Sequence, residues 1–192
     1  VYPGNATGLL SEEQIGAGRM HHSVELYGTS KLWAMSASER LLDNWDHLVL
    51  GNMYGKYDHT SHERSHLVGA LLGKFITAKN NQTNVQLIGT GIAQRDLVYV
   101  GDVVDVINSC MLGKSNNQPL NVSTGIGTSV RELAETIKDI LNFKGEILWG
   151  EEKDNGALYK VLDCTKVDNI YPNRSRTAIR DGLMLSLPYF LD

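Results

Sequence analysis

The chain has 192 residues, 42% hydrophobic and 21% charged, which suits a compact domain with a buried core. Its net charge of −4, without a basic block, argues against nucleic acid as a partner, and no apolar run approaches the ~18 residues needed to span a bilayer. Cys110 and Cys164 lie far apart with no Cys-x-x-Cys spacing, so they read as buried thiols of a reducing, cytoplasmic compartment.

The first residue is Val, not Met, so the expectation is a processed product, an excised piece or an incomplete gene. Val1-Tyr2-Pro3 reads as the tail of a strand, and the rest of 1–22, rich in Gly, Asn and Ser, reads as loop. A helix is predicted from Ser23 to Asn44, with Leu26, Trp33, Ala34, Ala37, Leu41 and Leu42 as an apolar stripe broad enough to cover more than one face. His47 to Leu50 is a short buried strand, and the polar stretch 51–65 is a long functional loop. A second helix runs from His66 to Lys79 through Leu67, Val68, Leu71, Leu72, Phe75 and Ile76. Val85 to Ile88 is a strand, Gly89-Thr90-Gly91 a turn, and Asp96 to Val100 a strand. Asp102 is placed to cap a helix reaching Met111. Pro119 to Val122 is a strand; Thr128 or Ser129 caps a helix over Val130 to Leu141, with Glu132 completing a capping box. Glu146 to Trp149 is a strand, and 150–160 a polar loop before an extended Val161-Leu162. Asp163 caps a short helix to Asn169, and the last helix spans Thr177 to Phe190. Strands alternate with helices throughout. The class is therefore α/β, with a parallel sheet and ligands at its strand ends.

Three groups of residues carry chemistry. Tyr27 and Lys31 are four apart in the first helix and so share a face. A cation beside a phenol favours phenolate, and such a phenol passes a proton to or from a carbonyl or alcohol oxygen. His21, His22, His59, His62 and His66 are clustered, yet no His-Glu-x-x-His motif accompanies them, so no metal is expected. His66, following a polar loop at a helix start, reads as a proton donor or ligand contact, or simply as a terminal helix residue. Arg95 follows the Gly-rich turn. It is placed either to bind a phosphate or to pair on the surface with Asp96 or Asp102, and position alone favours the surface pair. The turn itself lacks a third Gly, because residue 94 is Gln, and no Gly-Lys-Ser/Thr follows it.

Taken in order, Tyr27-x-x-x-Lys31, Asn52-Met53-Tyr54-Gly55, His66 to Leu72, Gly89-Thr90-Gly91-x-x-x-Arg95-Asp96, Val100-Gly101-Asp102, Asn121 to Gly125 and Ser129 to Ala134 resemble the extended short-chain dehydrogenase/reductases that act on nucleotide sugars. The resemblance implies the later part of a Rossmann-type parallel sheet in residues 1–55, and mainly the nucleotide-sugar domain, with segments returning to that sheet, in 56–192. It implies an NADPH-dependent epimerase and reductase, with the conversion of GDP-4-keto-6-deoxymannose to GDP-L-fucose as the nearest activity. Tyr27 would be the catalytic acid/base, Lys31 would hold the nicotinamide ribose, and His66 would serve as acid in the epimerisation while also touching cofactor. Asn52 would contact cofactor and sugar, and Lys74, Arg95 and Asn155 would contact the sugar nucleotide. A homodimer through the helix carrying Tyr27 and Lys31 is implied as well.

The departures are specific. The family's Gly-x-x-Gly-x-x-Gly turn does not occur in these residues, and its catalytic Ser and Cys would precede Val1. Leu50-Gly51 stands where the family has Pro-Thr, Ile88 where it has Trp, and Asn155 to Lys160 where it has Asp-Gly-Thr-Pro-Arg-Lys. The isolated chain is accordingly expected to be inactive. A 4-epimerase or dehydratase of the same superfamily, or a non-catalytic sugar-nucleotide binding module, are the alternatives.

Overall fold

The computed structural model describes residues 1–59 and 65–191. β1 (Leu9–Leu10) and α1 (Glu25–Leu41) come first, then β2 (His47–Leu50), β3 (Asn52–Tyr54) and α2 (Leu67–Asn81). β4 (Val85–Gln86), β5 (Gln94–Tyr99), α3 (Val100–Leu112), β6 (Pro119–Val122) and β7 (Gly127–Ser129) follow. α4 (Val130–Ile140), β8 (Ile147–Leu148), β9 (Tyr159–Leu162), α5 (Thr165–Ile170), α6 (Ile179–Ser186) and α7 (Pro188–Leu191) complete the order.

The main sheet runs β1-β9-β5-β3 in parallel, while β7 joins β5 antiparallel, so the sheet is mixed rather than wholly parallel. Two parallel pairs, β2 with β6 and β4 with β8, stand beside it. Between β2 and β3 the chain crosses from one sheet to the other at Gly51, whose N–H donates to the Val122 carbonyl at 3.1 Å. A Cβ there would lie 2.0 Å from Ser123 Oγ, so the crossing admits only glycine.

Two cores flank the main sheet. In α2, Val68, Leu71, Leu72 and Phe75 recur every three or four residues and are buried against Leu133, Ala134 and Ile137 of α4 and Leu183 of α6. Phe75 packs edge-on to Phe143 at 5.3 Å between ring centroids. Each such side chain contributes roughly 1.5–3 kcal/mol by burial. α2 stops at Gln82, whose left-handed backbone (φ 56°) returns its N–H to the Ala78 and Lys79 carbonyls. α4 starts at Ser129, whose hydroxyl accepts the Glu132 N–H at 3.0 Å. The second core joins Val98, Val103, Val106, Val122, Leu162 and Val167.

α1 departs from expectation. Of its residues only Gly28 is buried, while Leu26, Trp33 and Leu41 are 90%, 76% and 79% exposed. The predicted stripe forms, but both cores are filled by other elements and the stripe faces outward. Four further expectations are corrected. Val1-Tyr2-Pro3 is not a strand; the Val1 carbonyl instead accepts the Gly16 N–H, and a two-residue strand, β1, lies in the expected loop. Asn52 sits in β3, not in a loop, because residues 52–54 pair with Leu97, Val98 and Tyr99. Asp102 lies in the first turn of α3 but does not cap it; its carboxylate accepts the backbone N–H and the hydroxyl of Thr177, both at 2.7 Å, and docks the approach to α6. The last helix breaks between α6 and α7 at Pro188, which has no N–H to continue the ladder.

Candidate active site

Two cavities meet at Asn52. The larger, of about 660 Å³, is lined by Tyr27 and Lys31 from α1, by the β2–β3 run, by Tyr2 and by His66. The smaller, of about 240 Å³, is lined by Asn52, Ile88, Gly91, Arg95 and Asn155 among others. Asn52 borders both because it is the first residue of β3, one step past the Gly51 crossing.

In the larger cavity α1 approaches through Gly28, where a Cβ would lie 2.1 Å from Met20 Sδ. That close approach sets the level of Tyr27 in the preceding position. Lys31 Nζ stands 5.2 Å from the centre of the Tyr27 ring, so the helical spacing does bring phenol and ammonium together. Tyr27 itself remains 67% exposed. His66 is the N-cap of α2 with extended backbone, and its side chain makes no cap bond, which leaves the imidazole at the cavity wall. Tyr2 is differently employed. Its hydroxyl donates to Asn121 Oδ1, and burial pushes its pKa up from the ordinary phenol value. Asn121 is fully buried, and its amide donates to the carbonyls of Leu10 (2.7 Å) and Asp163 (3.0 Å), tying the N-terminal segment to the end of β9.

In the smaller cavity Arg95 is half-buried. Its guanidinium donates to the carbonyls of Gln94 (2.7 Å) and Ala157 (2.8 Å), and no carboxylate pairs with it among the described residues. The surface pair with Asp96 or Asp102 therefore does not form. Successive strand residues point to opposite faces, which turns Asp96 away from Arg95, and Asp102 is engaged with Thr177. Burial pulls the Arg95 pKa down from its usual value. A cation held in place, partly desolvated and with no counter-charge among the described residues, is suited to an anionic ligand.

Asp96 is the residue that sequence reasoning passed over. It is 1% exposed, and its carboxylate accepts from Thr124 N (3.1 Å), Thr124 Oγ1 (2.6 Å), Gly125 N (3.2 Å) and Leu162 N (3.2 Å). Its carbonyl accepts from Asn52 Nδ2 at 3.2 Å. One residue thus fixes the turn after β6, the end of β9 and the side chain shared by both cavities. The Gly89–Gly91 turn is braced in a similar way. Arg131 stacks 4.3 Å above the Trp149 ring and donates to the Thr90 carbonyl at 2.5 Å, and a Cβ on Gly91 would lie 2.5 Å from that ring.

Not every sequence candidate reaches a cavity. Lys74 Nζ donates to the Gln86 carbonyl at 3.1 Å and lines neither space. The histidines form no group of three metal-binding side chains among the described residues, and His62 lies outside them. The Cys164 thiol is buried and its pKa is pushed up to about 12, first by desolvation, which suits a packing role. Among the described residues no helix is long and apolar enough to cross a membrane.

The model of the NAD dependent epimerase/dehydratase family matches residues 1–123. GDP-L-fucose synthase 1 of Arabidopsis thaliana is 27% identical over 196 residues, covering 100% of this chain and 60% of the relative. A GDP-L-fucose synthetase from Naegleria fowleri bound to NADP superposes with a TM-score of 0.87 at 21% identity, over 99% of this chain and 60% of that one. MlghC, a GDP-mannoheptose C4 reductase from Campylobacter jejuni with NADP bound, superposes with a TM-score of 0.83 at 25% identity, over 100% of this chain and 65% of that one. The α/β architecture is thus Rossmann-like, and the chain spans about 60% of the length of the curated relatives it matches.

Proposed function

We propose a function from one premise: this chain belongs to the NAD dependent epimerase/dehydratase family. The reading is an NADP-dependent epimerase and reductase of a GDP-linked 4-keto sugar, with GDP-4-keto-6-deoxymannose as substrate and GDP-L-fucose as product. In this reading residues 1–55 contribute the later part of the cofactor domain and 56–192 mainly the sugar-nucleotide domain. The observation that carries it is Arg95, half-buried and without a carboxylate partner among the described residues, beside Asn52 on a wall that adjoins the Tyr27–Lys31 cavity.

The roles follow from place. Arg95 holds the pyrophosphate, with Asn155 on the same wall, so that binding energy far from the reacting carbon orients the sugar. Lys74, engaged with a carbonyl of β4, acts at most from the rim. The larger cavity fits the nicotinamide-ribose end of NADP: Lys31 offers a donor to the ribose, Asn52 lies at the junction, and the exposed phenol of Tyr27 is open to a bound group. NADPH, when bound, supplies the hydride that reduces the ketone carbon. Tyr27 donates a proton to the ketone oxygen, and His66, which lines the same cavity, moves the proton at the neighbouring carbon during epimerisation. α1, with Leu26 and Trp33 exposed, forms the homodimer contact.

Isothermal titration of the 192-residue protein with GDP tests the reading. Saturable binding that Arg95→Ala weakens about tenfold or more supports it, as expected for loss of a charged hydrogen-bond donor. Absence of binding overturns it. Without a cradle for the cofactor pyrophosphate, the chain alone is expected to show no turnover of NADPH with the 4-keto sugar nucleotide.

A further inference from the structure

The C-terminal helices grip the chain where it leaves β3 for α2. A Cβ on Gly182 of α6 would lie 2.1 Å from the hydroxyl of Tyr54, the last residue of β3, so helix and strand end are in direct contact. Two residues on, Lys56 Nζ stands 4.6 Å from the centre of the Tyr57 ring and 4.2 Å from that of Tyr189 in α7. The two ring centres are 6.2 Å apart, so one ammonium serves both rings. α7 is a firm anchor, because Phe190 packs against the core that α2 shares with α4. Tyr57 has no such support. It is 82% exposed, and its backbone is left-handed (φ 72°), a conformation that a bulky side chain disfavours. The shared ammonium offsets that strain.

The far end of this strap, residues 56–59, lies on the first turn of α2. A Cβ on Gly69 would lie 2.2 Å from the His59 carbonyl oxygen and 3.1 Å from Asp58 Oδ2. The strap is braced internally: the Asp58 N–H donates to the Gly55 carbonyl at 3.2 Å, and Asp58 Oδ1 accepts the His59 N–H at 2.9 Å. A carboxylate beside the first turn also suits the positive end of the helix dipole. Gly69 is three residues past His66, the N-cap of α2, whose carbonyl accepts the Ala70 N–H at 2.8 Å.

We propose that Lys56 and Tyr189 are positioning residues for His66: they hold the strap against α7, the strap holds the first turn of α2, and that turn sets the imidazole at the cavity wall. The proposal rests on the proposed function, since that reading gives His66 its part in proton transfer. Neither Lys56 nor Tyr189 lines either cavity, so both act through the strap and not on the ligand. Lys56→Met keeps the length of the side chain and removes its charge. Lys56→Arg keeps a cation that stacks on aromatic rings.

The experiment is NMR of the 192-residue wild type, Lys56→Met, Lys56→Arg and Tyr189→Leu, reading amide hydrogen exchange along α2 and the ring signals of His66. Exchange at Ala70 is expected to speed up about fivefold in Lys56→Met and in Tyr189→Leu, the size of one exposed cation–π contact, while Phe75, further along the same helix, exchanges as in wild type. The His66 ring signals shift in both variants and return to their wild-type positions in Lys56→Arg. Unchanged Ala70 exchange and His66 signals in Lys56→Met overturn the proposal. Equal acceleration at Ala70 and Phe75 overturns it too, because the clamp would then stabilise α2 as a whole and position nothing. Neither readout involves a nucleotide. A failure here therefore leaves the GDP titration standing, and a failure of that titration removes the proposed function without touching the clamp.

Discussion

Around Arg95 each polar side chain is held by another part of the chain, whereas around Tyr27 the site is built from an exposed helix. Asn52 is fixed by Asp96, Asp96 by four donors, Asn155 by Thr90 and the Gly89–Gly91 turn by Arg131 over Trp149. Tyr27 and Lys31 meet only because they are one helical turn apart, on a helix with a single buried residue. The Arg95 side is therefore preorganised within these residues. The Tyr27 side has its groups in order but, among the described residues, little packing that would fix them.

Side-chain truncation on the two sides should break this contrast if it is mistaken. Phe75→Ala removes a fully buried ring from the core that α2 shares with α4 and α6, and a loss of about 3–5 kcal/mol is expected in urea unfolding. Asp96→Asn turns an NH2 group toward N–H donors that its carboxylate now satisfies, and should cost roughly 2–4 kcal/mol while weakening GDP binding through Asn52. A variant as stable as wild type would show that the four hydrogen bonds do not organise the site.

A smaller effect is expected from pH. Burial alone would raise the Asp168 carboxyl, but the hydrogen bonds from Arg176 and Arg174 outweigh it and hold the pKa below its ordinary value of 3.8. A folded-state pKa that is depressed stabilises above the unfolded value and stops doing so as pH falls through the folded one. The urea midpoint should therefore drop as pH is taken below about 4, and Asp168→Asn should flatten part of that drop. An unchanged acid profile in the variant would remove Asp168 from the account. The smallest change is expected at Trp33→Ala in dilute protein, within about 0.5 kcal/mol despite the size of the side chain, because it is 76% exposed in the single chain. The homodimer proposed through α1 adds a loss that grows with protein concentration, and a loss independent of concentration would count against that contact.

The elements legible in the sequence were those whose signal is local. α2 and α4 declared themselves by apolar spacing, α4 also by Ser129, and β6 by its apolar run before a turn. The strands β1, β7 and β9 leave little or no local mark because they are two to four residues long and are defined by partners far away, such as Leu10 with Leu162. α1 is legible as a helix, but its exposure is not: an apolar stripe specifies that something packs on it, not that this chain supplies it. At the site, Tyr27 with Lys31 followed from helical spacing alone. Asp96 carried no local mark, since its donors lie 28, 29 and 66 residues away. Arg95 needed the fold to show that its neighbouring carboxylates were already engaged.

The Asp96 knot also has an order in time. Every donor to its carboxylate, from Thr124, Gly125 and Leu162, is made by the ribosome after Asp96 itself. A nascent chain that has emerged only as far as β6 carries a charged group destined for the interior with no partner to meet it, and desolvating that group early is costly. Thr124 and Gly125 reach Asp96 once the turn after β6 is made, and Leu162 only with β9, so the Asn52 shared by both cavities hangs from a carboxylate whose last donor is made late in synthesis.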